Sequence, residues 1–75
     1  MDHIRSLTAK QIVKALKQAG FVPHRQHRTS HLLLVHPERK LRTVVPMHHG
    51  DLPRGTVRAI IRQSGLTEEE FKALL

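Results

Sequence analysis

The chain has 75 residues, 13 Lys and Arg against 6 Asp and Glu, a formal charge of +7 and no cysteine. This length suits one small domain spanning 1–75 with a modest core, and without thiols it has neither disulfides nor thiolate metal sites, which fits a reducing cytoplasm. No apolar run approaches a membrane span or a signal-peptide core, so a cytoplasmic protein is expected.

In chain order, residues 1–7 read as a short lead-in. Thr8 can cap a helix in which Ala9, Ile12, Val13 and Leu16 recur at i, i+3, i+4 and i+7. Lys10, Lys14 and Lys17 lie on another side of that helix and read as a solvated face. Gly20 supplies the stop. At Phe21-Val22 the period changes to that of a strand, with Pro23 marking its start or a sheet edge. The polar run His24 to Ser30 holds a turn. Residues 31–36 and 41–46 are two further strands, joined by a turn over Pro37 to Lys40. Short connections make the three strands an antiparallel meander. Met47 to Gly55 reads as a loop, after which Val57, Ile60 and Ile61 give a second helical stripe closed by Gly65. Thr67 and Glu70 form a capping box opening a last short helix, with Phe71, Leu74 and Leu75 as its apolar members. The expected class is α+β, in the order αβββα with an appended helix: one three-stranded antiparallel sheet carrying helices on one face.

The charge is unevenly spread. Glu68, Glu69 and Glu70 are half of the acids, and residues 1–66 carry twelve cations against three acids, a formal +9. Such a body attracts polyanions. No amphipathic helix offers the broad apolar face a membrane surface requires. Phe21 and Phe71 are the only aromatics, so bases cannot stack on an aromatic platform; recognition must lean on phosphates, hydroxyls and shape. Arg54, Arg58 and Arg62 fall at i, i+4 and i+8 on one helix face, a cationic ridge able to track phosphates. A purely solubilising role for the ridge has nearly equal weight.

The residue that suggests chemistry is His31, set in the basic, carboxylate-poor run Arg28-Thr29-Ser30-His31-Leu32-Leu33-Leu34-Val35-His36-Pro37. Imidazole titrates near operating pH and is an efficient proton carrier. RNA brings its own nucleophile, the 2′-hydroxyl; a histidine that removes its proton, with cations beside the phosphate, suffices for metal-free cleavage. On pattern alone the blander reading, a partly buried strand histidine, has the advantage. Alternation puts His31 with Leu33 and Val35, and Leu32 with Leu34 on the other side. Both sets are apolar, so the pattern leaves open which one faces the core.

Other chemistries find little support. Metal-dependent nucleases need clustered carboxylates, and the middle of the chain offers only Glu38 and Asp51. Of the seven histidines, His24 and His27 fall on opposite faces of a strand and His48 and His49 diverge, so no metal site is expected. There is no GxSxG elbow, cysteine nucleophile or glycine-rich phosphate loop.

Taken together, the motifs are similar to those of the HicA-type (YcfA-like) toxins of bacterial toxin–antitoxin pairs. The resemblance runs nearly end to end: the first helix with its Gly20-Phe21 exit, Arg25-Gln26, Ser30-His31 leading a strand that ends His36-Pro37, then Val45-Pro46-Met47-His48, and Leu52-Pro53-Arg54-Gly55-Thr56-Val57-Arg58-Ala59-Ile60-Ile61-Arg62-Gln63-Ser64-Gly65-Leu66. The last two segments, at this distance from a Ser-His strand, form a fairly specific combination. The resemblance implies a fold like a double-stranded-RNA-binding domain, an endoribonuclease that cleaves mRNA, and a HicB-type antitoxin that covers the active site. It also implies that His31 is the catalytic residue, with no cofactor, and that His48 has a supporting role. Arg25, Arg28, Ser30, His48, Arg54, Arg58 and Arg62 are the expected RNA-binding residues. The pattern's glycine before Ser-His is Thr29 here, where glycine would allow closer backbone approach or positive φ; Leu32 replaces a second histidine that some members carry. Neither change removes the proton carrier. The last helix either packs on the domain or mediates self-association as a homodimer. The competing expectations are a non-catalytic RNA-binding module of the same fold, and an interaction protein whose basic face meets an acidic partner.

Overall fold

A computed structural model describes residues 6–24 and 30–75 of the chain. The elements are β1 (Leu7–Thr8), α1 (Ala9–Gln18), β2 (Val22–His24), β3 (His31–His36), β4 (Leu41–Pro46), β5 (Asp51–Leu52), α2 (Arg54–Ser64) and α3 (Glu68–Lys72). Strands β2, β3 and β4 form an antiparallel sheet in that spatial order. The expected α+β architecture, compatible with a double-stranded-RNA-binding-domain fold, is therefore present.

The start of α1 is fixed by a capping box. The Thr8 hydroxyl accepts from the Gln11 N–H at 3.3 Å, and the Gln11 side chain accepts from the Thr8 N–H at 2.9 Å; two backbone donors that a helix start leaves orphaned are thereby satisfied. Ile12, Val13, Ala15 and Leu16 bury the apolar stripe. Gly20 ends the helix at φ +105°, a left-handed backbone that an L side chain rarely adopts.

In the sheet, Leu34, Thr43 and Val45 are buried, and Leu32 and Leu41 pack partly against the same core. Ile60, Ile61 and Val57 of α2 join α1 and Phe21 in that cluster. Both helices thus cover one face of the sheet. One polar tie crosses this layer: the Thr43 hydroxyl, almost fully buried, donates to Oε1 of Gln63 at 2.7 Å.

Three departures from the sequence expectations concern short segments. Leu7–Thr8 is not merely a lead-in: it pairs antiparallel with Asp51–Leu52, inside the stretch expected to be a loop. Helix α2 begins at Arg54, so Gly55 lies in its first turn rather than in that loop. The proline-capped start has no side-chain cap, and Val57 N–H to the Pro53 carbonyl at 3.0 Å opens the helical ladder. Phe21 belongs to the core and not to the strand, which starts at Val22. Pro23 sits within β2 at the sheet edge, where a missing N–H is tolerated.

Helix α3 follows its predicted capping box: Thr67 and Glu70 exchange bonds of 2.8 and 3.0 Å. Its Phe71 is fully buried in the common core and Leu74 packs partly against it, whereas Leu75 stays 54% exposed. The last helix therefore packs on its own fold.

Candidate active site

The burial of Leu34 and the packing of Leu32 settle which side of β3 meets the core. His31, Leu33 and Val35 point to the other side, the face of the sheet that α1 and α2 leave uncovered. His31 is exposed, so the blander sequence reading of a partly buried histidine does not hold. Register places it opposite Pro46 at the end of the β3–β4 ladder. One further bond, Met47 N–H to the Ser30 carbonyl at 2.7 Å, continues the pairing just beyond it.

That register brings in a second imidazole. The rings of His31 and His48 lie 6.1 Å apart between centroids, edge to face at 70°. Seventeen positions separate the two residues in sequence; the hairpin closes that distance. His48 is also exposed, and with His49, Met47, Thr8 and Lys10 it lines a cleft of about 330 Å³ at the start of α1. The β1–β5 ribbon holds this corner together, because Thr8 pairs with Asp51 two residues after His49. The sequence reading treated Lys10 as part of a solvated face; its place in the cleft wall was missed, and no helical periodicity would reveal it.

The expected RNA-binding residues are only partly gathered. Ser30 is exposed beside His31 and holds Met47 through its carbonyl. Arg25 and Arg28 lie outside the described residues. Arg54, Arg58 and Arg62 are all exposed along α2, which packs on the opposite face of the sheet from His31. Arg54 starts that helix close to the ribbon; Arg62 lies eight residues on, about 12 Å along the axis. Arg58 is partly engaged, its Nε lying 3.6 Å from a Glu68 oxygen of α3. The ridge and His31 therefore lie on opposite faces of the sheet, with Arg54 two residues after β5.

Another histidine behaves quite differently. His36, at the far end of β3, is buried and meets Phe21 edge-on, with centroids 5.3 Å apart. Its Nδ1 accepts from the Arg39 N–H at 3.2 Å. It is a structural residue in the wall of a cleft of about 460 Å³ formed with Gly20, Pro37 and Glu38. Among the described residues, no three His, Asp or Glu side chains gather as metal ligands would, and no helix is long and apolar enough to cross a membrane.

The fold and the histidine pair define a small, basic α+β protein, compatible with a double-stranded-RNA-binding-domain fold, with imidazoles at one end of its three-stranded sheet. The chain belongs to the HicA toxin family: the family described as HicA toxin of bacterial toxin-antitoxin matches residues 9–66. The match runs from the start of α1 to the residue before the Thr67 cap, and makes the chain a toxin of the toxin–antitoxin class. No curated protein matches it.

Proposed function

We propose that the protein is a metal-independent endoribonuclease that cuts mRNA, with His31 as general base, and that a HicB-type antitoxin in the cytoplasm restrains it. The observation that carries this reading is the exposure of His31 on the sheet face opposite α1 and α2 in a family toxin with a strongly basic body. A neutral imidazole there takes the proton from a ribose 2′-hydroxyl, and the oxygen attacks the adjacent phosphorus. Cationic side chains stabilise the charge that develops on the phosphoryl oxygens. Arg25, Arg28 and Arg54 are assigned to phosphates near the cut, Ser30 and His48 to the reacting nucleotide, and Arg58 and Arg62 to a more distant stretch of backbone. General-base help of this kind is worth about 10²–10⁴-fold in rate.

The test is RNA cleavage by the purified chain and by His31→Ala in the presence of a chelator. The variant keeps its fold and most of its RNA affinity but loses cleavage. Cleavage at the wild-type rate by His31→Ala removes this residue from the mechanism. RNA bound and left intact by the wild-type chain identifies a non-catalytic binding module instead.

A further inference from the structure

We propose that His48 is the general acid of the same cleavage, giving its proton to the departing 5′-oxygen while His31 takes one from the 2′-hydroxyl; this rests on the ribonuclease reading above. Transesterification at phosphorus needs both transfers. The 2′-oxygen and the 5′-oxygen stand on opposite sides of the phosphorus, so base and acid must be two groups flanking one phosphodiester. A ring separation of 6.1 Å, edge to face, lets both imidazoles reach the same phosphate without stacking on each other. Hydrogen-bond reach to each oxygen is about 3 Å.

The placement is built into the backbone. The His31–Pro46 register and the Met47 N–H to Ser30 carbonyl bond, 2.7 Å, tie the residues that flank both rings. His48 also borders the cleft of about 330 Å³, space for the nucleotide on the leaving side. Among the described residues, the charged and titratable groups around it are His31 from β3, Lys10 from α1, its neighbour His49, and Asp51 at the start of β5. Ammonium and guanidinium groups hold their protons too firmly to serve near neutral pH, whereas imidazole does not. Lys10 therefore supplies charge and His48 supplies the proton. His49 shares the cleft; the ring contact to His31 is made by His48.

The step balances without a further reagent. The 2′-O–H proton moves to His31 and the 2′-oxygen forms its bond to phosphorus. The bond from phosphorus to the 5′-oxygen breaks, its electron pair stays on that oxygen, and the His48 imidazolium protonates it. The products are a 2′,3′-cyclic phosphate and a 5′-hydroxyl end.

The decisive experiment maps one cut site in an oligoribonucleotide, then replaces the bridging 5′-oxygen there with sulfur. A thiolate leaves without needing a proton. His48→Ala and His48→Gln, with wild-type circular dichroism, are expected to cut the ordinary site about 10²-fold or more slowly and the sulfur-bridged site at close to the wild-type rate. His31→Ala is slow on both. The loss of wild-type rate at alkaline pH, as the donor empties, disappears in both His48 variants. Equal slowing on both substrates, an unchanged rate on the ordinary site, or rescue in His49→Ala instead, overturns the assignment to His48 while leaving the ribonuclease reading intact. A wild-type chain that cuts neither substrate overturns both.

Discussion

A Cβ built on Gly20 lies 2.7 Å from Nε2 of His36: the end of α1 and the end of β3 meet with room for a hydrogen and nothing larger. The imidazole is held on its other sides by Phe21 and by the Arg39 N–H. This contact locks the first helix to the central strand, and it lies at the other end of β3 from the histidine pair.

Gly20→Ala meets both a left-handed φ of +105° and the ring of His36. Backbone strain and overpacking add, so a loss of about 2–4 kcal/mol is expected. Urea titration measures it; a loss below about 0.5 kcal/mol means that the ring has somewhere else to go.

Gly65→Ala also faces a positive φ, +78°, but its Cβ meets Cδ1 of Leu41 at 2.8 Å, the end of a flexible side chain. That end can swing away, so the loss is smaller, about 1–2 kcal/mol, and mostly backbone strain. The ordering of the two glycine variants in one denaturation series is the check.

The short last helix contributes through one ring. Phe71→Ala empties a fully buried site and is expected to lower stability by about 3–5 kcal/mol. Thr67→Ala removes only the cap and lowers it by about 1 kcal/mol. Truncation before Thr67 behaves like Phe71→Ala in the same urea titration; retention of full stability contradicts the packing described here.

Charge on α2 is tested by salt dependence. Replacing Arg54, Arg58 and Arg62 together by Ala lowers the slope of log affinity against log salt for RNA by about 2–3, if all three meet phosphates. Glu68→Gln releases Arg58 from its 3.6 Å partner and raises RNA affinity at low salt by at most about fivefold, the scale of an exposed ion pair. An unchanged slope in the triple variant makes the ridge merely solvated.

Much of the architecture was legible in the residue order because it depends on local rules. The stripes through Ile12, Val13 and Leu16 and through Val57, Ile60 and Ile61, the cap at Thr8 and the capping box at Thr67, the Leu- and Val-rich run of β3 and the β-branched run of β4 each state a period or a hydrogen-bonding need within a few residues. His31 stood out by the same means, as a proton carrier in a basic run. The two-residue strands β1 and β5 were not legible, since two residues carry no period.

The sequence by itself determined the three helices and the strands of the three-stranded sheet, the basic body, and the residues able to move a proton. Tertiary structure decided which face of β3 is open, because Leu32-Leu34 and Leu33-Val35 are equally apolar and only the packing of α1 and α2 distinguishes them. It also decided that His48 stands beside His31, that Lys10 lines a cleft, and that Arg58 is shared with Glu68. Each of these is a meeting of residues far apart in the chain, set by hairpin register and helix packing, which no local pattern encodes.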